Sequence, residues 1–255
     1  ARPESASTEK IVPRRWETFL CIFAVRATSG DDDGCSEHAL LKETAKECDK
    51  ICVSLAGVSY YPRARHEFKA RPFGAKTFIE LTVKHLPRGL HFTGHGKRGG
   101  RLVLDKIQVA LTEEGHVKIE GTESAPADFF VGQIRALRRS PSLEFVFLNC
   151  CHSFELGKRL VEYVPYVICW AGMDATPTKG GGTVRDEYAS SFAAKFYDTL
   201  AMRVKERGTA GPLNIPAVFE ATIVWVEKNP QEEFGVRKYR PRLCVNPELA
   251  RAPTV

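Results

Sequence analysis

The chain contains no apolar run approaching the roughly 18 residues that a helix needs to span a bilayer, so no membrane partner is expected. Its opening residues, 1–10, are polar and include no hydrophobic stretch of the kind that directs secretion. Eight cysteines occur in 255 residues, but they lack the regular spacing of a disulfide framework. Most sit inside apolar runs, where a reduced thiol behaves as a small hydrophobe. With no secretory leader, the reducing cytoplasm is the expected compartment. The first residue is Ala1 rather than methionine, which permits a piece of a longer chain.

Several binding chemistries also lack parts. Asp31, Asp32 and Asp33 fall in a turn-rich loop, but no glutamate closes it at calcium-loop spacing. Cys48 and Cys52 share one face of a predicted helix, with no further ligand nearby. His91 and His95 are four residues apart on a predicted strand, a span of roughly 13 Å, too far to meet on one zinc ion. His91 is therefore read as a satisfied core histidine or one that supports the site from behind. The net charge is +6, yet the basic residues lie in separated groups, at residues 63–71, 135–139 and 237–242. Nucleic acid requires one continuous basic face with stacking aromatics, so no nucleic-acid partner is expected.

What is present is enough apolar material, 43% of residues, for a sizeable core. Residues 1–15 read as a polar lead-in and 16–250 as one domain. Buried strands are predicted at Thr18–Val25, Gly89–Gly94, Ser142–Asn149 and Tyr166–Ala171, with a short end strand near Arg242–Val245. Helices are predicted over 37–55, 73–86, 126–139, 154–163 and 216–227. A further helix opens on a capping box at Thr183 and Asp186. In it Val184, Tyr188, Phe192, Phe196 and Leu200 recur every four residues, widened by Ala189 and Ala193. Residues 97–127 look irregular, with room for a small hairpin at 101–105 and 116–120. Alternating strands and helices imply an α/β fold, a mainly parallel central sheet with helices on both faces.

In such sheets, sites form beyond the C-terminal strand ends. One strand stops at His95, held between Gly94 and Gly96. Another stops at Asn149-Cys150-Cys151-His152-Ser153. A thiol with a free pKa of about 8.5 is mostly protonated at neutral pH, and a nearby imidazole can take that proton and later return it to a leaving amine. His95 and Cys151 are the candidate base and nucleophile. Strand parity groups Cys150 with Val146 and Leu148 as packing. Cys151 lies one place further out, where a helix start favours thiolate.

Three blocks carry a family resemblance. Leu90-His-Phe-Thr-Gly-His-Gly96 and Val146-Phe-Leu-Asn-Cys-Cys-His-Ser153 resemble the histidine and cysteine motifs of the CHAT family of caspase-like cysteine proteases. That family is related to caspases, metacaspases and separases. Val184-Arg-Asp-Glu-Tyr-Ala-Ser-Ser-Phe-Ala-Ala-Lys-Phe-Tyr197 resembles the helix that follows in the same family. The resemblance implies a caspase-like fold and a cysteine endopeptidase acting on protein or peptide substrates. It implies no metal or organic cofactor. It carries His95 over as base and Cys151 as nucleophile, with the backbone N–H groups of Gly96 and Cys151 as oxyanion hole. Asn149, Trp170 and Asp174 are the expected substrate-binding residues. Metacaspases often hold aspartate where Asn149 stands, so an acidic pocket needs another source, for which Asp174 is the candidate. The resemblance also implies regulatory or assembly domains in a longer chain. The alternative reading is a catalytically inactive caspase-like scaffold that binds partner proteins.

Overall fold

A computed structural model describes residues 19–24, 42–56, 58, 75–111, 117–137, 143–171, 186–207, 212–229 and 240–251. In chain order these form β1 (Leu20–Ala24), α1 (Lys42–Leu55), α2 (Ala75–His85), β2 (Gly89–Thr93), β3 (Gly96–Lys97), β4 (Arg101–Leu111) and β5 (Val117–Ala125). There follow α3 (Ala127–Leu137), β6 (Phe145–Asn149), α4 (Phe154–Leu160), β7 (Tyr166–Ala171), α5 (Asp186–Arg207), α6 (Ile215–Lys228), β8 (Arg240–Val245) and α7 (Pro247–Arg251). The expected lead-in, the aspartate loop, Thr183, Val184 and Asp174 lie outside the described residues.

The central sheet has the order β1-β2-β6-β7-β8. The pairs β1–β2, β2–β6 and β6–β7 are parallel, and β8 adds antiparallel to β7. The chain is thus α/β with a mainly parallel sheet. Alternation along β6 explains its two faces. Phe145 and Phe147 enter one core with α1, α5 and α6, while Val146, Leu148 and Cys150 enter the other with α2, α3 and α4. Helices therefore cover both faces, and every residue of β2 and β6 is buried.

The four-residue stripe of α5 is buried as the spacing requires: Tyr188, Phe192, Phe196 and Leu200 all face the sheet core, with Ala189 and Ala193 beside them. The Phe147 ring stands edge-on to Phe196, centroids 5.4 Å apart, and Trp170 stands edge-on to Phe192 at 5.5 Å. Each such ring, fully buried, contributes roughly 2–3 kcal/mol. Helix α2 stops where expected. Pro87 disfavours helical backbone at Leu86, which instead takes a positive φ of 41°.

The N-terminal end of the sheet is held by a buried ion pair. Arg88 Nε donates to Glu144 Oε1 at 2.6 Å, and Glu144 Oε2 accepts from Leu213 N at 2.8 Å. Burial pushes the Glu144 carboxyl up, against the pull of the Arg88 guanidinium. Nothing in the sequence pattern marked this pair.

Residues 97–127 are more regular than expected. Instead of a small hairpin, β4 and β5 form a long antiparallel ladder that pairs Leu102 with Ala125 and Leu111 with Val117, with β3 on its edge. Register shifts after Lys106 and Ile107 break the alternation that would have revealed the strands. Among the described residues no helix is long and apolar enough to cross a membrane.

Candidate active site

Strands β2 and β6 are neighbours in parallel register, with Thr93 opposite Asn149 at their shared C-terminal end. His95 and Cys151 each lie two residues beyond that rung, on strands about 4.8 Å apart. Gly94 N donates to Asn149 O at 3.5 Å. Past the rung the two chains press together. A Cβ placed on Gly96 would stand 1.9 Å from the Cys151 carbonyl oxygen and 3.4 Å from Cys150 Cβ. Only a residue without a side chain allows this approach. The structure therefore brings His95, Gly96 and Cys151 to one place.

The histidine segment is held from its other side by the hairpin. The His95 carbonyl accepts from Val103 N at 3.0 Å. That bond makes Gly96↔Leu102 a non-hydrogen-bonded pair, so the Gly96 N–H points away from β4. Gly99 and Gly100 turn the chain with φ of 76° and 71°, backbone that glycine adopts without steric cost. His95 and Cys151 are both partly exposed as residues, although His95 Nε2 itself is shielded from solvent.

The cysteine turn is tightly tied. His152 takes a left-handed φ of 54°, uncommon for a residue with a side chain. The buried Ser153 hydroxyl donates to Cys150 O at 2.8 Å, with Leu148 O at 3.2 Å, and accepts from Trp170 N at 2.9 Å. Cys150 is buried, and burial pushes its thiol well up and keeps it protonated. Cys151 is the more exposed of the two. The helix-start argument for Cys151 is weaker than the sequence suggested. Helix α4 begins three residues later and runs only seven, and dipole effects fade within a turn. His152 has its pKa lowered, by burial first and then by the nearby Arg98 charge.

Beneath the site lies a buried polar network. Glu47 of α1 is fully buried among apolar neighbours. Its Oε1 lies 2.7 Å from His91 Nε2 and 2.7 Å from Asn149 Nδ2, and its Oε2 accepts from Thr93 Oγ1 at 3.1 Å. His91 Nδ1 lies 3.1 Å from the Tyr197 hydroxyl. Asn149 Oδ1 accepts from Trp170 Nε1 at 2.7 Å.

The structure places Asn149 and Trp170, the expected substrate-binding residues, within this network. Both are buried, and their polar side-chain atoms bond to each other and to Glu47. These bonds tie the end of β6 to β7 and α1. Asp174 lies outside the described residues. His91 is the satisfied core histidine that the strand spacing implied. Glu47 was missed, yet a signal existed: it precedes Ile51 and Leu55 at steps of four, a carboxylate on the apolar face of α1. Ser153 was quoted in the cysteine motif without a role.

Among the described residues, no group of three or more His, Cys, Asp or Glu is placed to hold a metal ion. No protein-family model matches this chain, and no curated protein matches it.

Proposed function

We propose that the chain is a cysteine endopeptidase domain of caspase-like architecture, working through His95 and Cys151. The observation that carries this reading is the backbone contact of Gly96 with Cys151 at the C-terminal ends of two adjacent parallel strands. It brings the backbones of the histidine and cysteine segments together at the place where α/β sheets mount chemistry, which supports a reaction shared by His95 and Cys151.

In the proposed reaction His95 removes the Cys151 proton, and the thiolate adds to the scissile carbonyl carbon. The charge that develops on the carbonyl oxygen is met by the N–H groups of Gly96 and Cys151. Collapse breaks the C–N bond, and His95 returns the proton to the leaving amine. Water, deprotonated by His95, then hydrolyses the thioester and restores the thiol. Ser153, Asn149 and Trp170 hold the turn that presents Cys151. The substrate is a protein or peptide, and the domain works within a longer regulated protein in the cytoplasm.

A thiol-directed peptide probe tests the reading. Cys151 should label at least tenfold faster than the other thiols, and both labelling and peptide cleavage should vanish in Cys151→Ala. Cys150→Ala should leave labelling intact while costing about 1 kcal/mol of stability for its lost packing. Equal reactivity among thiols, with no peptide cleavage by the parent chain, would leave the inactive scaffold as the better account, and cleavage unchanged in Cys151→Ala would remove Cys151 as nucleophile.

A further inference from the structure

The outer strands of the central sheet bring a second pair of thiols together. Cys169 Sγ and Cys244 Sγ lie 3.9 Å apart, on adjacent antiparallel strands where Val167 pairs with Cys244 and Cys169 with Arg242. Neither is in a disulfide. Both belong to the core on the α4 face. Their environments differ. Cys169 is fully buried, and its sulfur is fixed under α4, since a Cβ on Gly157 would stand only 2.7 Å from it. Cys244 is partly exposed, on β8, which among the described residues is the last strand of the sheet.

The sulfurs already touch. A disulfide needs them about 2.05 Å apart, and an edge strand can give the remaining distance more easily than Cys169 can. Exposure separates the two roles, since a peroxide can reach the partly exposed Cys244 but not the fully buried Cys169. The hydrogen bond with Cys169 lowers the Cys244 pKa, burial opposes it, and the Lys158 charge adds to the lowering. The Cys169 thiol is pushed up by its Cys244 partner and by burial. A partly exposed thiol beside a buried resolving thiol is the arrangement of a redox-responsive pair.

We propose that Cys169 and Cys244 form a reversible redox pair that closes to a disulfide under peroxide and reopens with a small-molecule thiol. The Cys244 thiolate attacks one peroxide oxygen, breaks the O–O bond and becomes a sulfenic acid. The displaced hydroxide is protonated to water. The Cys169 sulfur then attacks the Cys244 sulfur, and the sulfenic oxygen leaves as a second water carrying the Cys169 proton. Two thiols are oxidised by two electrons and one peroxide is reduced. Reopening transfers those electrons back from two reductant thiols, which leave as their own disulfide. The pair takes no part in the His95–Cys151 chemistry, so the inference does not rest on the peptidase reading.

The test is peptide mapping of the whole protein after hydrogen peroxide, with Cys151 first blocked by an alkylating probe. The expected result is a linked Cys169–Cys244 peptide, two hydrogens lighter than its halves, and loss of two thiols from the unblocked set. Dithiothreitol should restore both. In Cys244→Ala the Cys169 thiol should survive the same treatment. The exposed position of Cys244 makes that variant the safer one for folding. A linked peptide joining either cysteine to Cys150 instead, or Cys169 and Cys244 still reduced when other buried thiols have reacted, would overturn the pairing.

Discussion

Gly96 and Cys151 meet backbone to backbone: a Cβ on Gly96 would stand 1.9 Å from the Cys151 carbonyl oxygen. Neither chain can retreat freely. The His95 carbonyl is bonded to Val103, and the cysteine turn is bonded through Ser153 to β6 and β7. Gly96→Ala must therefore push the two segments apart. The expected cost is about 1–3 kcal/mol of stability, as for overpacking elsewhere. Displacing reacting groups by even 1 Å can cost about a hundredfold in rate. Probe labelling of Cys151 should fall by that order while the variant remains folded, which urea denaturation and labelling kinetics together would check. A variant with unchanged labelling would show that the contact does not set the geometry.

Glu47 collects three donors in a space closed to water. Removing the carboxylate strands the side chains of His91, Thr93 and Asn149, and each unsatisfied buried group costs about 1–3 kcal/mol. Glu47→Ala should lose at least about 3 kcal/mol in denaturant unfolding. Glu47→Gln keeps the size and one carbonyl acceptor, and should lose clearly less. Because Asn149 also holds Trp170, the indole fluorescence of the folded state should shift in both variants. An Ala variant as stable as the parent would mean that water or neighbouring groups satisfy the site.

His152 offers two linked measurements. Its φ of 54° is costly for a β-branched side chain, so His152→Val should destabilise by about 1–2 kcal/mol, whereas His152→Asn, which tolerates this backbone, should be close to neutral. Its pKa is lowered in the folded state, by burial and then by Arg98. The unfolded chain, with a histidine pKa near 6.5, therefore binds a proton that the folded chain resists. The resulting stability is fully present above about pH 6.5 and is lost as pH falls through the lower folded value. Urea midpoints should drop more for the parent than for His152→Asn between pH 7.5 and pH 5. Equal drops would remove His152 from the acid response.

Much of this arrangement follows from local pattern. Uninterrupted apolar runs mark strands that are buried on both faces, as in β2, β6 and β7, and a four-residue stripe marks α5, because these periods are properties of the backbone itself. Parity along β6 separates Cys150 from Cys151 for the same reason, and the two cores on either side of the sheet follow that division. The long β4–β5 hairpin escaped because its register slips twice and the alternation breaks with it.

Pairing across the fold is different in kind. That Thr93 stands opposite Asn149, that Gly96 lies on the Cys151 carbonyl, and that Glu47 reaches under both strands depend on which segments become neighbours. So does the meeting of Cys169 with Cys244, 75 residues apart in the chain. The sequence alone determined the buried parallel strands, the helices packed on them and the residue types at their ends, since those rest on short-range backbone preferences. Only the tertiary structure decided the partners, because burial and hydrogen-bond satisfaction act between segments that no local period connects.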